Sequence, residues 1–396
     1  MLLFHKSLLI HIVFFVTAVF SADMPSGDEF YDDTKGYYST DDNYEDTYKE
    51  IYDLLNIEET QKKIIRSNIG IDISLNNIVD SIVKGDSEYL KKLFTKGIKE
   101  ILIGELGTNR TLMLQLVSIV LLGSIFVNLS GSFCKGFISE NGFYVTYLIV
   151  TSLILTSFLV NLELVTGAIE KILAFIRIIV PIFAIAMNFV GHAAASAGMY
   201  QVILVGIWFV QIVILKFIIP MIKFYVIISL VNNVNKEDSF SKMSNLIKNL
   251  VEWLLKSIVI FTAGLNIIKS LIEPQIDALG RNTVNKVISA IPGGGVVSVL
   301  TGTFLGAGMV IKNSIGIAGI IILLLIVMVP VIKTFLIMLT VRITGVMIQP
   351  VGDKRYVEGV ETLAKGMVLL LHTIGSSVVL FMLTIAIMSY ATNNGG

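Results

Sequence analysis

"TLMLQLVSIVLLGSIFVNLSGSFC", Thr111 to Cys134, contains no charged side chain. At 1.5 Å per residue, a helix of this length crosses the hydrocarbon core of a bilayer, about 30 Å thick. Asn141–Leu162 repeats the pattern after a short polar break. Ile178–Leu215 is charge-free for longer still, and "GHAAASAG" (Gly191–Gly198) divides it into a hairpin of two spans, the second running past Pro220 towards Val231. Further apolar stretches at 249–268, 313–332, 334–350 and 366–391 bring the expected number of crossings to about eight. Glu252 and Lys256 fall within the first of these, and Arg342 interrupts the third. The expectation is an all-α, polytopic helical membrane protein, with residues 110–392 as its membrane domain.

Composition agrees. Of 396 residues, 54% are hydrophobic and only 15% charged, more apolar material than a soluble interior can hide. The formal net charge is zero, so no basic field points to nucleic acid as a partner. The single cysteine, Cys134, permits neither an intramolecular disulfide nor a CxxC metal site and reads as a packed small hydrophobe.

The chain before residue 110 has three parts. Residues 1–22 combine Lys6, an apolar run from Leu8 to Phe20, and Ser21-Ala22, the pattern of a signal peptide; an uncleaved anchor is the alternative. Residues 23–50 hold ten carboxylates against Lys35 and Lys49 with almost no aliphatic side chains, so they read as a disordered acidic leader. Residues 51–109 place Leu54, Leu55 and Ile57, then Leu90, Leu93, Phe94, Ile98, Ile101 and Leu102, at helical spacing beside lysines and glutamates, an exported region of amphipathic helices. With the leader outside, Lys135, Lys269, Arg281, Lys286, Lys312, Lys354, Arg355 and Lys365 fall on the inner side, against Lys171, Arg177, Lys236, Lys242 and Lys248 outside, a modest positive-inside bias.

Residues 290–319, "AIPGGGVVSVLTGTFLGAGMVIKNSIGIAG", are rich in glycine without forming a phosphate loop, because Ile311 rather than glycine precedes Lys312-Asn313. A dinucleotide fingerprint fails too, since Ser298 stands where the third glycine belongs. Pro292, Gly293, Gly294 and Gly295 supply a helix break, and Gly302 and Gly306 form a GxxxG element; with Gly316 and Gly319 they are the candidates for close helix contact. Lys216, Lys223 and Arg342 are the candidate intramembrane charges. Such residues face a cavity, a partner or the interface, and snorkelling is the plainer account of Lys223. No HExxH or GxSxG occurs, and His192 and His372 read as interior hydrogen bonders, so neither an enzyme nor a cofactor is expected.

The C-terminal half, with "IPGGG", "FLGAGMVIKNSIGIAGI", "VPVIKTF" and "MIQPVGD", resembles the stage III sporulation protein AE family of endospore-forming bacteria over roughly residues 110–392. The resemblance implies a place in the mother-cell membrane around the forespore, with the N-terminal region in the intermembrane space. It also implies membership of a multi-protein channel complex that supports forespore development after engulfment, hence other subunits as partners within an oligomeric assembly. It implies no catalytic residues. The competing class is a self-sufficient secondary transporter, which calls for internal repeats with paired broken helices. Two Gly/Pro-interrupted segments are present, but no sequence repeat relates the halves.

Overall fold

The computed structural model describes residues 74–83, 86–133, 137–189, 204–209, 211–234, 239–260 and 294–391, with a few isolated positions besides. The signal peptide, the acidic leader, Cys134, His192, Pro292 and Gly293 lie outside them. The described elements are α1 (Leu75–Val83), α2 (Ser87–Phe133), α3 (Phe137–Phe189), a π-helical segment (Gln211–Ile218) leading into α4 (Ile219–Asn232), α5 (residues 241–260), α6 (Gly294–Ile348) and α7 (Lys354–Ala391).

Local chemistry sets several boundaries. Ser74 caps α1 by accepting the Asn77 amide at 3.2 Å, and Asp86 caps α2 by accepting the amides of Glu88 and Tyr89 at 3.1 and 3.2 Å. After Ile348 comes Pro350, which lacks the amide a continuing helix would use. The Gly352 amide closes on the Ile348 carbonyl at 2.7 Å, and the Asp353 carboxylate then accepts the Arg355 amide at 2.9 Å to start α7.

The glycines reveal how the helices run. Gly123 meets Thr146 and Gly142 meets Phe126, so α2 and α3 form an antiparallel hairpin; Gly345 against Val360 does the same for α6 and α7. Gly97 against Met328, the Glu105–Lys333 ion pair, and Gly352 against Val120 place α2 parallel to α6. Tyr147 at Gly359 and Phe158 at Gly366 place α3 parallel to α7. The centre belongs to the second hairpin. The most apolar stretches of α6 and α7 are 61% and 78% buried, against 22%, 28% and 29% in the spans Glu88–Leu129, Glu140–Asn188 and Leu204–Asn232.

These five are the described helices long and apolar enough to cross a membrane, where the sequence suggested about eight segments. Part of the difference is fusion. The spans expected at 141–162 and from 178 onward share α3, and those at 313–332 and 334–350 share α6. Pro181 and Pro330 lie inside these helices without ending them, because packed neighbours stabilise the interrupted ladder. The stretch at 249–268 contributes residues 249–260 to α5, which is amphipathic, with Lys242, Lys248, Glu252 and Lys256 along it. No helix break separates the amphipathic region before residue 110 from the first apolar run, since α2 continues through Arg110.

Helices of 47, 53 and 55 residues would be about 70 to 80 Å long, more than twice the hydrocarbon thickness. Exposed apolar side chains concentrate in one half of that length: Leu114, Leu122, Ile125 and Leu129 on α2, Val145, Leu148 and Val160 on α3, and Leu339, Ile343 and Val346 on α6. On α3 this girdle falls between Glu140 and Glu163, a rise of about 35 Å, which matches one hydrocarbon core with its edges.

Candidate functional site

The apolar helices α4 and α7 and the amphipathic α5 each place polar side chains on one face, and the fold brings those faces together. On α4 they are Tyr225, Ser229, Asn232 and Asn233; on α5 Ser244, Lys248 and Glu252; on α7 Glu358, Glu361, Thr362 and Lys365, all at three- and four-residue spacing. Ser229 and Ser244, both buried, share a hydrogen bond between hydroxyls, and Tyr225 bonds to Ser229. The Asn232 side-chain oxygen accepts the Phe240 amide at 2.7 Å, which folds α5 back along α4. Asn233 Nδ2 donates to Thr362 Oγ1 at 3.3 Å, linking α4 to α7, and Thr362 donates in turn to the Glu358 carbonyl at 2.9 Å.

The seam contains a buried carboxylate. Glu252 is 8% exposed; its Oε1 has no hydrogen-bond partner, and Lys248 Nζ stands 3.8 Å away, too far for a hydrogen bond. Glu361 and Lys365 pair at 3.0 Å on the outer side of the same faces and remain 57% and 46% exposed. Glu252 and Glu361 both lie within electrostatic reach of the Tyr225 hydroxyl.

One end of the seam is closed by Arg355, whose side chain is 12% exposed. Its guanidinium meets both Asp353 oxygens at 3.2 Å, Glu140 at 3.5 Å and the Val234 carbonyl at 3.4 Å, and lies 3.3 Å over the centre of the Phe143 ring. Phe143 packs with Tyr147 and Tyr356, ring centres 5.5 and 5.0 Å away, and Tyr147 Oη donates to the Leu230 carbonyl at 2.9 Å. This knot joins the starts of α3 and α7 to the end of α4.

A second polar layer crosses the bundle where the apolar girdle ends. Lys333 on α6 pairs with Glu105 on α2 at 2.6 Å, and Thr334 donates to Asn161 of α3 at 3.4 Å. Asn109, one turn beyond Glu105, is buried with its Nδ2 lacking a partner.

The residues singled out from sequence occupy other places. A β-carbon on Gly316 would stand 3.2 Å from Phe183 Cε2, and one on Gly319 would meet Ile385 at 3.7 Å and Ile179 at 3.8 Å, so both lie where α6 passes α3 and α7. α6 begins at Gly294, directly after Pro292 and Gly293. The surroundings of Gly294, Gly295, Gly302 and Gly306 lie outside the described residues. Lys216 and Lys223 are exposed, beside exposed Phe217 and Phe224. Gln211 is bonded to Arg177 at 2.8 Å, and Val226 reaches the height of Phe158, so Lys216 stands alongside the charged stretch Glu163–Arg177 and Lys223 close to the girdle's edge. Arg342 is exposed among Leu339, Ile343 and Val346, within the girdle.

Two features escaped the sequence reading. The seam's signal was three separate polar stripes, whose members Glu252, Lys248 and Lys365 entered the sequence reading only as an interruption of a span and as cations of the two sides. Lys312, counted as a cation of an inner-side segment, is instead wholly buried inside α6. A charge four residues from Gly316 had an apolar helix on both sides of it, and that context was the available clue. Among the described residues, no three of His, Cys, Asp and Glu converge to hold a metal ion.

Five described helices long and apolar enough to cross a membrane, around an apolar core with polar side chains buried along one seam, are the architecture of a polytopic helical membrane protein. The sequence model of the stage III sporulation protein AE family matches residues 73–392, and the chain belongs to that family. It is similar to the stage III sporulation protein AE of Bacillus subtilis (strain 168), 22% identical over 313 residues that cover 78% of each chain. No solved structure matches. The family match begins at residue 73, not near 110, so it takes in α1 and the amphipathic start of α2.

Proposed function

We propose that this protein is an integral membrane subunit of the mother cell–forespore channel complex, acting after engulfment and needing other subunits to function. It has no catalytic role in this reading. It sits in the mother-cell membrane with its N-terminal region in the intermembrane space, as a signal-like start ahead of an acidic leader favours. The family match over residues 73–392 carries the proposal. The exposed Arg342 within the apolar girdle supports a subunit with partners, because lipid is a costly neighbour for a charge.

The test is genetic. Deleting the gene in its endospore-forming host is expected to let engulfment finish and then to abolish late forespore gene expression, with the intact gene restoring it. Normal heat-resistant spores from the deletion strain would overturn the proposal. A reporter fused at Lys49 is expected to be active only outside the cytoplasm, and cytoplasmic activity there would reverse the orientation.

A further inference from the structure

The Glu361–Lys365 pair sits at an unusual height. Gly359 lies against Tyr147 and Ile154, and Gly366 against Phe158 and Val226, so Glu361 and Lys365 are level with the middle of the charge-free stretch of α3. At that level α3 presents Val145, Leu148 and Val160 outward, and α2 presents Leu122 beside them, as a lipid-facing surface should. The α4–α5–α7 face sets an exposed ion pair among the exposed apolar side chains of Phe224, Val231, Leu246 and Trp253, and charge in contact with lipid tails is costly. Behind that pair the seam continues inward to Glu252, whose buried Oε1 has no hydrogen-bond partner and meets Lys248 Nζ only at 3.8 Å. Buried polar groups left without protein partners are ordinarily satisfied by water, provided several polar atoms converge. Here the Lys248 ammonium, 3.8 Å away, and the Tyr225 hydroxyl, within electrostatic reach, supply them.

From these observations we infer that the α4–α5–α7 seam is a water-filled cleft entering the membrane beneath Arg355 and reaching the depth of Glu252. From Asn233 to Tyr225 the polar face of α4 rises about 12 Å, a substantial fraction of a hydrocarbon core of about 30 Å. The lining carries both signs of charge, Glu252 and Glu361 with Lys248 and Lys365, so it suits water and small polar solutes rather than ions of one sign. The cleft deepens the channel-subunit reading, on which its physiological use rests. Its hydration is measured independently of that use.

Single cysteines test it, placed in a Cys134→Ser background in membranes from sporulating cells, opened so that reagent reaches both sides. The probe is a positively charged, membrane-impermeant methanethiosulfonate. It needs a thiolate, which forms in water and not among lipid tails. Lys365→Cys, Thr362→Cys and the near-isosteric Ser244→Cys are expected to react within about tenfold of the rate at exposed Glu88→Cys, and Leu122→Cys and Leu148→Cys about a hundredfold more slowly or not at all. Ser244→Cys keeps the test valid if removing a charge disturbs the fold. Seam cysteines as inert as Leu122→Cys, with Glu88→Cys labelled, would overturn the cleft. So would oxidative crosslinking of Lys365→Cys to another subunit in place of labelling, which would make this face a protein contact. Neither result alters the sporulation phenotype of the deletion, so failure of the cleft and failure of the channel reading are distinguishable.

Discussion

Arg355 is the residue on which most separate elements converge. Replacing it with alanine removes a forked contact to Asp353, a bond to the Val234 carbonyl, a cation over Phe143 and the ion pair with Glu140. Breaking a mostly buried pair from one side costs about 3 kcal/mol, so Arg355→Ala is expected to lower the thermal midpoint in detergent by several degrees. Arg355→Lys should recover only part, because an ammonium cannot reproduce the fork. An unchanged midpoint in both variants would mean that the knot contributes nothing to stability. Gly316 offers a second test at this scale. Its missing side chain makes room for Phe183, so Gly316→Leu is expected to cost about 1–3 kcal/mol by overpacking. Gly104, with nothing within 4 Å of where its β-carbon would stand, is the control and should accept alanine without loss. Equal effects at the two positions would show that close approach to Phe183 is not what Gly316 provides.

At the scale of elements, the Glu105–Lys333 pair ties α2 to α6 at the girdle's edge, and Lys333 follows Pro330 by three residues. In sequence Lys333 falls between the apolar stretches 313–332 and 334–350, which read as two spans. In the fold a carboxylate from α2 meets that charge and the helix continues. Exchanging the two, Glu105→Lys with Lys333→Glu, is expected to restore most of the stability that either single change removes, read as a double-mutant cycle on thermal midpoints. Additive losses would show that the pair is incidental. The helical class was legible because charge-free runs of more than 20 residues have few other uses. The seam was not, because its members are spread over 225–233, 244–252 and 358–365, and no stretch alone departs from an ordinary amphipathic pattern. Their meaning comes from the turn that Asn232 makes with Phe240 and from the placement of α7 beside α4. Lys312 was misread for a related reason, since counting charge by side treats every lysine as a loop cation and ignores packing.

Across the whole molecule, helices more than twice as long as a bilayer is thick require that only part of each lies in lipid. The exposed apolar girdle identifies that part, bounded on α3 by Glu140 and Glu163, and the deeply buried α6–α7 hairpin runs through it as the centre of the bundle. The seam, the Arg355 knot and the Glu105–Lys333 layer all acquire their roles from this placement. The direct measurement is a spin label placed in turn at Glu88, Leu122, Leu148, Val346 and Glu170 of the reconstituted full chain, with its collision rates against oxygen, which concentrates in lipid, and against a water-soluble nickel chelate. The account predicts oxygen-dominated collisions at Leu122, Leu148 and Val346, and nickel-dominated collisions at Glu88 and Glu170. Nickel access at Leu148 equal to that at Glu170 would contradict it, because the charge-free stretch of α3 would then not lie in the membrane.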